Sequence, residues 1–321
     1  MATCRIVIIN YKTRDLTIDC LRSLAPEVAA NPGVTVCVTD NASGDGSIDA
    51  IDAAIQANGW NTWAHVRPLE RNGGFAYGNN GGIRPAMAED PPPDYLLLLN
   101  PDTVVRPDGI GALLRFMEGH PDVGFAGSRL EDPDGTPQRS AFRFHSPVSE
   151  MEAGFRVGFL SRLLARHVVA PPVVDEPCEV DWVAAASIII RPKVFDEVGL
   201  MDEAYFMYFE EVDWLLRARA GGWRCWYVPQ SRVVHLVGQA SGVTDKAKAT
   251  RRRPAYWFES RHRYFVKNFP KHKAAAADLL FMLGFATWRL RRRLQRKPDR
   301  DPERMLWDFA RHSVFARGFK P

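Results

Sequence analysis

Glu210, Glu211 and Asp213 put three carboxylates within four residues, inside the aromatic-rich stretch Tyr208–Trp214. Apolar neighbours disfavour an ionised acid, so a general base could be tuned here. The stretch also opens a helical pattern, and the helix dipole favours acids in a first turn, which gives at least two of the three a purely structural use. Residues three and four apart share a helix face, so Glu210 and Asp213 group together while Glu211 points about a quarter-turn away. Asp213 has Arg217 four residues on as a ready ion-pair partner. Glu210 could cap the helix or hold a substrate hydroxyl, and Glu211 is left as the candidate base.

Other candidates lie where apolar runs end. Val34–Thr39 leads into Asp40-Asn41-Ala42-Ser43-Gly44-Asp45-Gly46. A carboxylate there could accept hydrogen bonds from a nucleobase or ribose, or Asp40, Asn41 and Asp45 could simply make the turn and cap the next helix. Arg71–Gly82 holds five glycines and three asparagines, among them Asn72, Gly74 and Asn79. Glycine permits close backbone approach, and amides suit a diphosphate or sugar. Gly78 to Gly82 would weaken a helix start, which favours the ligand use over a plain loop. The segment is neither G-x-G-x-x-G nor G-x-x-x-x-G-K-[ST], so nicotinamide binding and P-loop chemistry lose support. Tyr95–Leu99 leads into Asn100-Pro101-Asp102, where Asp102 could bind a hard divalent cation or only build a turn. His235 ends a later run, and its weight depends on whether it faces Asp102.

These residues need a frame. Apolar runs at Cys4–Ile9, Val34–Thr39, Trp63–Arg67, Tyr95–Leu99 and Val123–Ala126 alternate with helical patterns, including Phe75–Ala88 and Asp108–Glu118. Such alternation predicts an α/β fold with a mostly parallel sheet flanked by helices, and ligands then sit beyond the C-terminal strand ends. One helix near Glu150–Arg166 is predicted in the proline-rich middle, and Cys225–Val228 and Arg232–Leu236 read as two strands.

With 321 residues, 46% apolar and 25% charged, the chain is an ordinary globular one, not disordered, collagen-like or multi-span. Five cysteines without a C-x-x-C argue against a disulfide framework or a cysteine zinc site and for a reducing compartment. The N-terminus lacks the pattern of a cleaved secretory signal. Arg251–Lys297 carries 14 Lys and Arg against two acids, while the residues before it are net acidic. A division into 1–250 and a basic helical extension, 251–321, is expected. Within the extension, Ala274–Trp288 is apolar apart from Asp278 and has basic flanks. It is shorter than the roughly 20 residues needed to span a bilayer. It fits a helix on an anionic membrane surface or one packed on protein, either this chain or a second subunit as in a homodimer. No nucleic-acid motif is present.

In order, IVIINYK, VTDNASGDGS, NGGFAYGNNGGI, LLLLNPD, VDWVAAASIIIR, VGLMDEAYFMYFEEVDW and HLVGQASG resemble the motif series of family 2 inverting nucleotide-sugar glycosyltransferases. That family has the GT-A fold, with a Rossmann-like nucleotide-binding half. The similarity is nearest to a rhamnosyltransferase-like branch that builds polysaccharide or cell-wall linkers on polyprenyl diphosphate. The resemblance implies that Asp40 reads the nucleobase and that Asn41, Asn72, Gly74, Asn79, Asn100 and Asp102 lie beside the donor. It places Asn72, Gly74 and Asn79 in a loop. The family's metal motif is often D-x-D, so Asn100 departs from it and leaves Asp102 as the carboxylate ligand, with His235 completing a Mn²⁺ or Mg²⁺ site. The base is usually the second residue of an E-D pair, here Glu211, one methylene longer. Trp182, Glu210 and Asp213 become acceptor-side or supporting residues. The implied reaction moves a sugar, L-rhamnose from dTDP-rhamnose by preference over another hexose or galactofuranose from UDP, to a lipid-linked or glycan hydroxyl. The setting is cytoplasmic, peripheral on the inner face of the membrane. A non-catalytic sugar-nucleotide-binding or scaffold protein is the alternative that Asn100 and Glu211 keep open.

Overall fold

The structure is a computed structural model, and it describes residues 2–236 and 251–321. The strands are β1 (Cys4–Asn10), β2 (Val34–Asp40), β3 (Ala64–Pro68), β4 (Tyr95–Leu99), β5 (Thr103–Val105), β6 (Val123–Glu131), β7 (Ala141–Phe142), β8 (Cys178–Val180), β9 (Trp182–Val183), β10 (Ser187–Ile190) and β11 (Arg224–His235). The helices are α1 (Arg14–Ala30), α2 (Ser47–Ala57), α3 (Gly74–Met87), α4 (Gly109–Gly119), α5 (Pro147–Phe155), α6 (Gly158–Leu163), α7 (Lys193–Val198), α8 (Glu210–Ala220), α9 (Ala255–Asn268), α10 (Lys271–Leu294), α11 (Met305–His312) and α12 (Val314–Arg317).

Contacts divide the described residues into two units. The first takes in 2–142, 172–206 and 210–236; the second takes in 143–171, 207–209 and 251–321. The first unit is built on one sheet of order β3-β2-β1-β4-β10-β6-β11-β5, with β8 also on β11. The run β3-β2-β1-β4 is parallel throughout. β10 enters antiparallel between β4 and β6, while β11 lies parallel to β6. The interior strands are apolar on both faces, as covered sheets require, and Ile6, Ile8, Val36, Val38, Leu97 and Ile189 share one core with Leu21 and Leu24 of α1.

α3 lies unusually close to this sheet. A Cβ at Gly78 would come within 2.9 Å of Ile9 Cγ2, and one at Gly82 within 2.6 Å of Val7 Cγ1. Those glycines therefore serve helix-to-strand packing, and the segment read as a ligand loop is helical from Gly74 onward.

Three further expectations change. Cys225–Val228 and Arg232–Leu236 are one strand, β11, whose register shifts where Pro229 has no N–H to offer. β6 runs on to Glu131. The helix expected near Glu150–Arg166 is two, because Arg156 turns left-handed (φ 50°) after α5.

In the second unit, α5 crosses α10 at two glycines: a Cβ at Gly154 would meet the Phe281 carbonyl at 2.8 Å, and one at Gly284 the Phe155 nitrogen at 2.6 Å. Phe258, Phe281, Phe285, Met305 and Phe309 form its apolar centre. Asp278, the one acid of the apolar stretch, is buried, bound by Arg261 Nη1 (2.5 Å) and by the backbone N–H of Val314 (2.7 Å). Arg261 also binds Glu150 (2.7 Å). Burial works to raise the Glu150 pKa, and the charges and hydrogen bonds of Arg261 and His145 together more than offset it, leaving the carboxyl below its ordinary range.

Candidate active site

The chain enters α8 through Tyr208 and Phe209, both left-handed (φ 71° and 67°). Two consecutive side-chain-bearing residues in that region are strained, as functional sites often are. From there the three acids diverge. Asp213 is wholly buried; it accepts from Arg217 Nε at 3.0 Å and from the Tyr205 hydroxyl at 3.2 Å. Arg217 is itself anchored on the carbonyls of Val198 and Leu200. Glu210 is buried and Glu211 half-buried, and each has a buried carboxylate oxygen with no hydrogen-bond partner among the described residues. Burial pushes both pKa values up, and the neighbouring Glu211 charge pushes Glu210 further, well above the ordinary range. Such a pair holds a proton at one carboxyl while the other can accept one.

A second group forms at the C-terminal end of β4. Asp102, 2% exposed, has its Oδ1 3.5 Å from His235 Nε2. β5 and β11 enforce this: Thr103 pairs with His235, and the Leu236 N–H donates to the Asp102 carbonyl at 2.9 Å. One carboxylate oxygen and one imidazole nitrogen at that separation fit two positions of a single divalent ion. Asn100 donates its backbone N–H to the Ala186 carbonyl at 2.9 Å, and its side chain is partly exposed. No cluster of three or more His, Cys, Asp or Glu residues suited to a metal occurs among the described residues. The motif HLVGQASG lies beyond Leu236 largely outside the described residues.

A third group joins the ends of β2 and β3. Asn41 Nδ2 donates to Asn72 Oδ1 (3.1 Å) and to the Gly74 carbonyl (3.0 Å), leaving Asn41 Oδ1 buried with no partner among the described residues. Gly74 sits at φ 82°, where a Cβ would strike the Phe206 carbonyl at 1.8 Å, and the Phe75 N–H donates to that carbonyl. Only glycine fits this approach. Asn80 and Arg84, on the next turns of α3, bind Glu203, so α3 fixes the segment that leads to α8. Asn79 is not in the loop expected for it: it is buried one turn into α3, its amide on the Phe75 carbonyl. Asp40 has no exposed surface. Its carboxylate accepts from Asn10 Nδ2 (2.6 Å), Ser43 Oγ (2.7 Å) and the Ser43 N–H (2.9 Å), the turn-building use the sequence also allowed. Trp182 stacks on Phe142, ring centroids 4.3 Å apart.

Sequence reasoning missed Glu131. It is fully buried at the end of β6 and bound by Arg106 (2.8 Å) and Arg232 (2.9 Å), with Arg129 at 3.8 Å. Burial works to raise its pKa, and the hydrogen bonds and charges of Arg106 and Arg232 bring it below the ordinary range. The partners are scattered along the chain, so no local spacing could reveal them.

The sheet and its helices are those of GT-A glycosyltransferases. The crystal structure of S. aureus TarS 1–349 superposes with TM-score 0.53 at 13% identity, over 97% of this chain and 81% of that one. The mannosyltransferase PcManGT from Pyrobaculum calidifontis, solved in complex with GDP-Man and Mn²⁺, gives 0.56 at 13% identity, over 90% and 73%. Residues 5–167 match Glycosyl transferase family 2, and the chain belongs to that family. It is therefore an inverting glycosyltransferase, as its motif order implied. Among its relatives is an N-acetylglucosaminyl-diphospho-decaprenol L-rhamnosyltransferase of Mycobacterium tuberculosis, 29% identical over 249 residues, covering 74% of each chain. The Escherichia coli rhamnosyltransferase WbbL is 25% identical over 167 residues, covering 51% of this chain and 61% of WbbL.

Proposed function

We propose that this enzyme transfers L-rhamnose from dTDP-rhamnose to a hydroxyl of a polyprenyl-diphosphate-linked sugar, with Glu211 as general base. The contrast within α8 carries the assignment of the base: Asp213 is consumed by Arg217 and Tyr205, while Glu211 keeps a carboxylate oxygen with no partner among the described residues. The names of the mycobacterial and E. coli relatives support the sugar, and that of the former supports the lipid-linked acceptor. A Shigella flexneri relative named as a dTDP-rhamnosyl transferase supports the nucleotide.

In this reading Glu211 takes the acceptor hydroxyl proton as the oxygen attacks the anomeric carbon opposite the leaving diphosphate, so configuration inverts. Glu210, whose ionised form is disfavoured by burial and by the Glu211 charge, hydrogen-bonds the acceptor. Asp213 and Arg217 hold α8 in place. Asn41, Asn72 and Gly74 line the nucleotide side, with Asn41 Oδ1, unpartnered among the described residues, ready for a donor N–H. Asp40 orients that turn through Asn10 and Ser43, and reaches a nucleobase only where the turn opens to it. Asp102 and His235 would hold a Mn²⁺ or Mg²⁺ ion, which supplies charge neutralisation for the departing diphosphate. Trp182, buried and stacked on Phe142, supports the acceptor side from within.

The test is release of nucleoside diphosphate from dTDP-rhamnose in the presence of a polyprenyl-diphosphate-linked acceptor, with the product's anomeric configuration read by NMR. Faster release from a UDP-hexose would overturn the donor. Binding without release would replace the enzyme reading by a sugar-nucleotide-binding role.

A further inference from the structure

α10 has two faces. Ala274, Ala277, Phe281, Gly284 and Phe285 are buried within the second unit. On the other side Leu279, Leu283, Leu290 and Leu294 stand 46%, 51%, 62% and 76% exposed. At about 100° per residue these four leucines fall within an arc of about 60°, along about 22 Å of helix. Both ends of the stripe are basic and exposed: Lys271 and Lys273 precede it, and Arg293, Arg296 and Lys297 surround its end. None of these five makes an ion pair among the described residues; the pairs formed at this end belong to Arg289 and Arg292, with Asp299 and Asp301. The helix offers no surface acid, since Asp278 is buried and bound.

From this we infer that the outer face of α10 docks on an anionic lipid bilayer. A leucine stripe with cations at both ends is the pattern of a helix lying in a membrane interface, leucines among the acyl chains and cations on the headgroups. No helix among the described residues is long and apolar enough to cross a membrane, so the contact is lateral. A second copy of the chain fits the face poorly. Symmetric pairing of two α10 helices, parallel or antiparallel, sets basic end against basic end with no acid between them. On α6, exposed Phe159 and Leu163 beside Arg162 and Arg166 repeat the same mixture in the same unit.

The experiment is cosedimentation of the full chain with vesicles of equimolar phosphatidylcholine and phosphatidylglycerol, and with phosphatidylcholine alone. Binding to the anionic vesicles is expected, weakening as salt is raised. Leu283→Asp with Leu290→Asp should lower it about tenfold or more, and Arg293→Glu with Lys297→Glu should also lower it, each at wild-type melting temperature. Should the leucine pair fail to fold, the charge pair, which lies outside the apolar centre, decides the matter. No binding to anionic vesicles, binding that neither pair reduces, or a dimer in light scattering that the leucine pair dissociates would each overturn the proposal. Vesicle binding needs neither donor nor turnover, so the transferase assignment stands or falls separately.

Discussion

At the end of β6, Glu131 is closed to solvent and arginines converge on it; at the start of α8, Glu210 is nearly closed to solvent and no cation pairs with it among the described residues. The first arrangement drives a carboxyl below its ordinary range, the second drives one well above. Both side chains are nearly closed to solvent, so exposure alone does not tell the two arrangements apart. What distinguishes them is whether the ionised form has partners. Asp213 repeats the lesson within α8 itself: two residues from Glu211, it is satisfied by Arg217 and Tyr205.

The largest expected effect follows directly. Glu211→Gln keeps shape and removes basicity, so kcat should fall by a factor of roughly 10²–10⁴ with donor affinity near normal. Asp213→Asn should instead show itself first as a lower melting temperature. Full turnover in Glu211→Gln, with loss in a folded Asp213→Asn, would reverse the two roles.

Metal dependence comes next. EDTA should stop turnover, and Mn²⁺ or Mg²⁺ should restore it. Asp102→Asn should raise the metal concentration for half-maximal activity by at least the 10–100-fold typical of losing an outer partner of a ligand. Unchanged turnover in EDTA would break the assignment of Asp102 and His235.

On the paired side, Glu131→Gln leaves Arg106 and Arg232 without their shared partner. Unfolding free energy should drop by about 2 kcal/mol, while kcat of the folded enzyme holds. Denaturant titration beside a turnover assay measures both, and an equal loss of kcat would mean that Glu131 belongs to the site.

The smallest effect is in pH. A carboxyl whose folded pKa is raised contributes stability that is fully present below its unfolded value, near about 4.3, and lost as pH rises through the folded value. Glu210→Gln should therefore gain melting temperature relative to wild type as pH goes from acid to alkaline. Glu131 runs the other way: its stability is present above the ordinary carboxylate pKa and lost as pH falls through its depressed value. A flat difference between wild type and Glu210→Gln across that range would mean that Glu210 is not held neutral.

Much of the frame was legible because local patterns carried it. Tyr95–Leu99 is a self-announcing apolar run, Phe75–Ala88 shows a helical pattern, and Asp213 with Arg217 is a simple i, i+4 relation. The short strands β5, β7, β8 and β9 escaped notice, since two or three residues hold no period. The glycines of α3 were seen, but their use was not: whether a bare Cα faces a ligand or Val7 and Ile9 depends on what lies across the helix.

The sequence by itself determined the family, the order of its motifs and the residue types at each strand end, because these are properties of neighbours along the chain. Tertiary structure alone decided that Asp102 meets His235, that Asp40 is committed to its own turn, that Asn79 is inside a helix, and that Asp278 is buried while four leucines of α10 face outward. A carboxylate's chemistry depends on the charge, hydrogen bonds and solvent around it. Those come from Arg106 and Arg232 for Glu131, residues up to 101 positions away that only folding brings near.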